Sequence, residues 1–162
     1  MNKITPLFKG LITGVLMVML SLLLIYTQQP PDSSLQYFSY VLFAGGIAWT
    51  LIDYSRSDAY TGKFGDIFGQ GFRCFIIIVL VMVIFIAVYT ILHPEIAEEA
   101  AQLYKADLIK QGNKTPAEIE EIVSTVKKQF LVSNIMPAIF GTLITGAIFT
   151  AAGAGLLLIR KK

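Results

Sequence analysis

Four long apolar runs without a charged residue dominate this chain: Leu11–Tyr26, Leu35–Ile52, Cys74–Leu92 and Ile135–Ile159. A helix needs about 20 predominantly apolar residues to cross roughly 30 Å of hydrocarbon. The first run reaches that length once Leu7 and Phe8 are counted and the Lys9 ammonium snorkels to the headgroups. Four such helices cannot all find an interior in a chain of 162 residues, because a small domain leaves too much of its surface exposed. The charged fraction agrees: 15%, against about 25% in soluble domains. Mean hydropathy is +0.67. The expected fold is an all-α integral membrane protein of one domain, with four transmembrane helices at residues 7–26, 35–53, 72–92 and 135–159.

Composition removes several function classes. A net charge of +2 provides no nucleic-acid footprint. The single cysteine, Cys74, can form neither an internal disulfide nor a metal cluster, and reads as an inert residue at the membrane interface. Lys3 and Lys9 ahead of an apolar stretch imitate a signal peptide, but no small-x-small cleavage site follows Tyr26, so the first span is expected to be retained. Neither terminus carries a lipidation motif.

Basic residues set the expected threading. Eight of them lie in the N-terminal segment (Lys3, Lys9), the second loop (Arg56, Lys63, Arg73) and the C-terminus (Arg160, Lys161, Lys162). The first loop, Thr27–Ser34, has none, and the third, His93–Asn134, has five against seven acids. Positive residues near span ends favour the cytoplasm, so both termini are expected there and loop 93–134 in the periplasm. Tyr26, Tyr37, Tyr40 and Tyr89 then fall near the outer boundary, and Trp49 and Tyr54 near the inner one.

The third loop predicts a helical hairpin over 94–133, between spans three and four. Pro94 ends the third span and opens a helix with Ile96, Ala100 and Leu103 on one face. Gly112-Asn113 is a stop signal. Thr115-Pro116-Ala117-Glu118 is a helix start with a capping box, and Ile119, Ile122, Val123, Val126 and Phe130 mark the next apolar face. Those faces either pack on each other or dock a partner. In the second loop, Phe64, Phe68 and Phe72 recur every four residues beside Gly65 and Gly69, which predicts an interfacial helix over 62–72. The phosphate-loop alternative lacks its spacing and its strand. Lys63 and Arg73 are candidates for headgroup or anion contact.

No central span carries an ionisable group, which argues against proton relays and intramembrane proteolysis. Buried threonines can bond their own helix's carbonyls. No acid–base pair, nucleophile or metal set is apparent, so no catalytic residue and no cofactor are expected. His93, beside Pro94, reads as a boundary residue. Small residues carry the packing signal: Gly10 and Gly14 in the first span, Gly45 and Gly46 in the second, and Ala138, Thr142, Gly146, Thr150 and Ala154 every four residues in the fourth. The third span, bulky throughout, is expected to face lipid or a partner with small residues of its own.

The run Lys63-Phe64-Gly65-Asp66-Ile67-Phe68-Gly69-Gln70-Gly71, the segment Thr115-Pro116-Ala117-Glu118-Ile119-Glu120-Glu121 and the glycine-rich last span ending Arg160-Lys161-Lys162 resemble a Bacteroidetes family, domain-of-unknown-function family four-one-nine-nine. That resemblance covers nearly the whole chain. It implies a four-span inner-membrane protein and supplies no activity and no catalytic residues.

The functional expectation is a non-enzymatic accessory or scaffolding subunit of another membrane protein. Its partners would be the lipid bilayer, that second protein, and in some arrangements further copies of itself. A small oligomeric channel or transporter would need a polar path built from threonines across protomers. A lipid-handling enzyme subunit would need Lys63, Arg73, Asp53 and Asp66 to converge at the headgroup level.

Overall fold

Thr5 starts the first helix. Its backbone is extended and its hydroxyl accepts a bond from the Phe8 N–H at 3.3 Å, while Pro6 occupies a position that has no N–H to satisfy. In the computed structural model, which describes residues 4–27 and 37–160, five helices follow one another: α1 (Pro6–Tyr26), α2 (Tyr37–Ser55), α3 (Phe64–Leu92), α4 (Pro94–Gln111) and α5 (Pro116–Arg160). Most of the first loop, the start of the expected second span, Lys3, Lys161 and Lys162 lie outside the described residues. Among the described residues, α1, α3 and α5 are long and apolar enough to cross a membrane. α2 is not among them, because Tyr37, Ser39 and Tyr40 at its start and Asp53 and Tyr54 at its end lower its mean hydropathy.

Two compact units divide the chain: residues up to Met82 together with those from Ile139 onward, and Val83–Ala138. In the first unit, glycines set the spacing between helices. Thr13 of α1 fills the space a side chain at Gly46 of α2 would need. Gly10 abuts the Cys74 carbonyl, and Val81 lies 2.9 Å from where a Cβ on Gly14 would be. Gly71 of α3 meets Thr150 and Leu51, Gly153 meets Leu51, and Gly146 meets the Phe75 and Phe43 rings. Backbones without side chains approach closely, which is how helices associate where hydrophobicity offers no preference. Phe43, Ile47, Ile67, Phe75 and Ile78 fill the interior against these gaps.

Three sequence-based expectations change here. The interfacial helix over 62–72 is the opening of α3, which runs unbroken from Phe64 to Leu92. No residue between Phe72 and Cys74 stops a helix, and extending one costs less than starting another. Its phenylalanines follow one another along the helix, Phe64 stacked on Phe68 at 6.0 Å and Phe68 tilted against Phe72 at 6.2 Å. Gly65 and Gly69 face open space, and Gly71 makes the close approach instead. The third span does not simply face lipid: Cys74, Phe75, Ile78 and Val79 are buried, and its bulk fills the room left by Gly10, Gly14 and Gly146. Leu80, Ile84, Val88 and Ile91 form its exposed side. Finally, Gly45 contacts nothing, so of the Gly45-Gly46 pair only Gly46 is a packing residue.

In the second unit, α4 ends at Gly112, whose φ of 66° is the left-handed conformation that favours glycine. α5 begins with a reciprocal cap: the Thr115 N–H donates to Glu118 Oε2 at 2.7 Å, and the Glu118 N–H donates to the Thr115 hydroxyl at 3.4 Å. Ala101, Leu108 and Ile119 are buried, and Lys127 of α5 pairs with Glu98 of α4. Leu103, expected on the inner face of α4, is 71% exposed, because the buried positions follow Ala101 and Leu108 at a seven-residue interval. α5 continues through Pro137, which cannot donate to the Ser133 carbonyl. Its 45 residues are more than a bilayer core requires.

The cap yields a testable result. The Glu118 carboxyl is held below its ordinary range, first by the Thr115 N–H and then by the Thr115 hydroxyl. A depressed folded value stabilises the folded form above the unfolded value of 4.5, and that contribution is lost as pH falls through the folded value. Thr115→Ala is expected to cost about 1 kcal/mol of local helix stability at neutral pH. Amide exchange over residues 116–120 would show faster opening in the variant and in the wild type at low pH; unchanged rates would contradict the cap.

Candidate functional site

Lys9 stands in the first turn of α1 and Asp53 in the last turn of α2. Because the two helices run in opposite directions, these two ends lie side by side. The Lys9 ammonium pairs with Asp53 Oδ2. Lys9 is 3% exposed and Asp53 is 42% exposed. Each charge is misplaced for its own helix and well placed for the neighbour's. A cation is disfavoured at the positive start of α1 and favoured at the negative end of α2, and the reverse holds for the carboxylate.

Aromatic and hydroxyl groups complete the surroundings. Trp49, one turn before Asp53, places its ring centroid 5.4 Å from Lys9 Nζ. Thr13 donates to the Lys9 carbonyl at 2.9 Å and Thr50 to the Gly46 carbonyl at 3.0 Å. After α2, the Ser57 hydroxyl bonds the Tyr54 carbonyl at 2.7 Å, and the Tyr54 hydroxyl bonds the Ala59 carbonyl at 3.1 Å. This folds the following segment back beside the helix end, where an open cavity of about 270 Å3 lies. Thr5, Lys9, Thr50, Asp53, Tyr54 and Gln70 contribute to its wall. The volume is slightly below the usual range for small-molecule sites, roughly 300–1,000 Å3.

The residues proposed from sequence fall in three places. Gly10, Gly14, Gly46 and Gly146 make helix contacts, as do Thr150 and Ala154, both fully buried; Thr142 is half-buried. The side chain of Ala138 lies outside the described residues. Lys63 and Arg73 are exposed and do not line the cavity. Asp66 accepts a 2.6 Å bond from the Thr61 hydroxyl. The four charges of the lipid-enzyme alternative therefore do not converge: Asp53 is with Lys9, and Asp66 is held by Thr61.

Lys9 with Asp53, the close contacts at Gly71 and Gly153, and the cavity were not among the expected features. A signal for the ion pair existed. One basic and one acidic residue sit just inside the ends of consecutive apolar helices, and an antiparallel pair brings those two ends together. Thr150 adds a second buried feature, since its hydroxyl Oγ1 has no hydrogen-bond partner among the described residues. Cys74 is buried with its Sγ 3.6 Å from the Gly46 carbonyl. His93 Nδ1 lies 2.7 Å from Glu95 Oε1, and the Tyr89 ring centroid is 4.4 Å from its ring. The described residues contain no group of three or more His, Cys, Asp or Glu placed to share a metal ion.

A family model described as a protein of unknown function covers residues 9–158. No curated protein and no solved structure matches the chain.

Proposed function

The chain belongs to the DUF4199 family of proteins of unknown function, and from that membership we propose that it is a non-enzymatic, multi-pass protein of the bacterial inner membrane. It serves as an accessory or scaffolding subunit for another membrane protein. α2 crosses beside α1 as a fourth span. Both termini are cytoplasmic, and residues 93–134 form a periplasmic helical hairpin. What supports this reading is the closure of the first unit on itself. Glycines bring its helices into contact, Lys9 is neutralised by Asp53, and Thr13 and Thr50 bond their own helices' carbonyls. Such an interior is a packed body rather than a conduit through a single protomer.

The second unit supplies the surface for a partner. Leu103, Tyr104 and Ile109 are 71%, 46% and 58% exposed on a helix whose composition is otherwise polar. A photo-crosslinking residue at Leu103 is expected to trap one discrete protein in the native host, while the same group at Lys128 traps none. Smears of equal intensity from both positions would contradict a docking face. Threading is tested with single cysteines in a Cys74→Ala background. An impermeant reagent is expected to label Asn113→Cys in intact cells and spare Ser57→Cys. The reverse pattern would invert the topology.

A further inference from the structure

We propose that the cavity at Lys9 and Asp53 is a headgroup site for a zwitterionic aminophospholipid, one carrying a phosphate and a primary amine. The inference rests on the membrane placement of α1 and is independent of the partner reading.

Charge balance selects the ligand class. Lys9 and Asp53 both line the cavity, and together they are neutral. A purely anionic ligand gains from Lys9 and is repelled by Asp53. A ligand that carries both charges close together satisfies both. An ammonium has three donors, and Asp53 Oδ2 accepts from one of those on Lys9. Asp53 is 42% exposed and keeps a second oxygen for an incoming amine. A primary amine can donate a charge-assisted hydrogen bond there, whereas a quaternary amine has no N–H to offer. The Thr5 hydroxyl, which accepts from Phe8 N–H and keeps its own proton, and the Gln70 amide on the same wall add neutral donors suited to phosphate oxygens.

Location selects the source. The cavity lies at the N-terminal end of an apolar helix that is long enough to span. Trp49 and Tyr54 stand beside it, and such amphipathic rings favour the headgroup level of a bilayer. A headgroup entering here would keep its acyl chains against the exposed apolar residues of α2 within one turn of Asp53, Trp49 and Ile52, which are 41% and 44% exposed.

The full-length protein can be tested in detergent micelles by titration with phosphatidylethanolamine, phosphatidylcholine or phosphatidylglycerol. Native mass spectrometry counts the retained lipids. Trp49 is the chain's single tryptophan, so its emission reports the site without any substitution. Phosphatidylethanolamine is expected to bind about tenfold more tightly than either other lipid, the ratio one charge-assisted bond supplies, and to shift Trp49 emission. The paired variant Lys9→Met/Asp53→Leu removes both charges without leaving one unpaired, and is expected to lose the preference. Lys63→Gln/Arg73→Gln is expected to keep it. Three results would overturn the proposal: equal or tighter binding of phosphatidylglycerol, an unchanged preference in the folded Lys9→Met/Asp53→Leu protein, or an unmoved Trp49 spectrum at saturating phosphatidylethanolamine. Water-soluble phosphoethanolamine binding as tightly as the lipid would overturn the lipid source. None of these outcomes bears on the Leu103 crosslink, so the two proposals fail separately.

Discussion

Asp53→Asn is expected to destabilise the purified protein far more than Lys9→Met, although both remove the same ion pair. The asymmetry follows from burial. Removing the Asp53 charge leaves an ammonium that is 3% exposed without its counter-charge, beside the Trp49 ring. A buried charge stripped of its partner costs roughly 3–5 kcal/mol. Removing Lys9 leaves a carboxylate that is 42% exposed and can turn to water, and methionine retains most of the apolar stem. That loss should be about 1 kcal/mol, in the range of partly exposed pairs. Replacing both residues, as Lys9→Met/Asp53→Leu, should restore most of the stability, since an apolar substitute for a buried pair is often neutral or better. Thermal melts in one detergent compare all three. Equal losses for the two single variants would mean that water reaches Lys9.

Gly146→Leu is expected to produce a loss of similar size by a different mechanism. A Cβ at this position would stand 2.8 Å from the Phe75 ring and 3.1 Å from Phe43. Both rings are almost completely buried, at 1% and 2% exposure, so neither can swing away. Overpacking a core of this kind costs about 1–3 kcal/mol, and a whole leucine side chain belongs at the upper end. The proper control adds bulk where the surface is open. Leu80→Phe on α3 fits, at 53% exposure, whereas Val79, at 7%, does not. Melting and size-exclusion profiles should change for Gly146→Leu and stay as wild type for Leu80→Phe. If both behave alike, the α5 stripe is not a close interface.

These two predictions separate what was legible in the chain from what was not. The periodic placement of Gly146, Thr150 and Ala154 was visible because a stripe of small residues is a local pattern on one helix. Which residues fill the gap was not, because Phe43 and Phe75 belong to other helices and only the packed bundle selects them. Gly45 and Gly46 are indistinguishable in sequence, yet one meets Thr13 and the other meets nothing, since a rotation of about 100° per residue places them on different faces. The capping box at Thr115 was legible in full because every group in it lies within four residues.

The sequence by itself determined the helical class, the apolar helices α1, α3 and α5 that can enter a membrane, the break at Gly112 and the family. Each of these depends on composition or on short-range spacing, which a linear reading carries whole. Only the tertiary structure decided that the bulky third run packs against the glycines of its own chain, that Leu103 faces outward, and that Lys9 is buried against Asp53. Those outcomes depend on contacts between segments up to 44 positions apart, as Lys9 and Asp53 are. Spacing along a helix shows which residues share a face; it does not show which neighbour that face will meet.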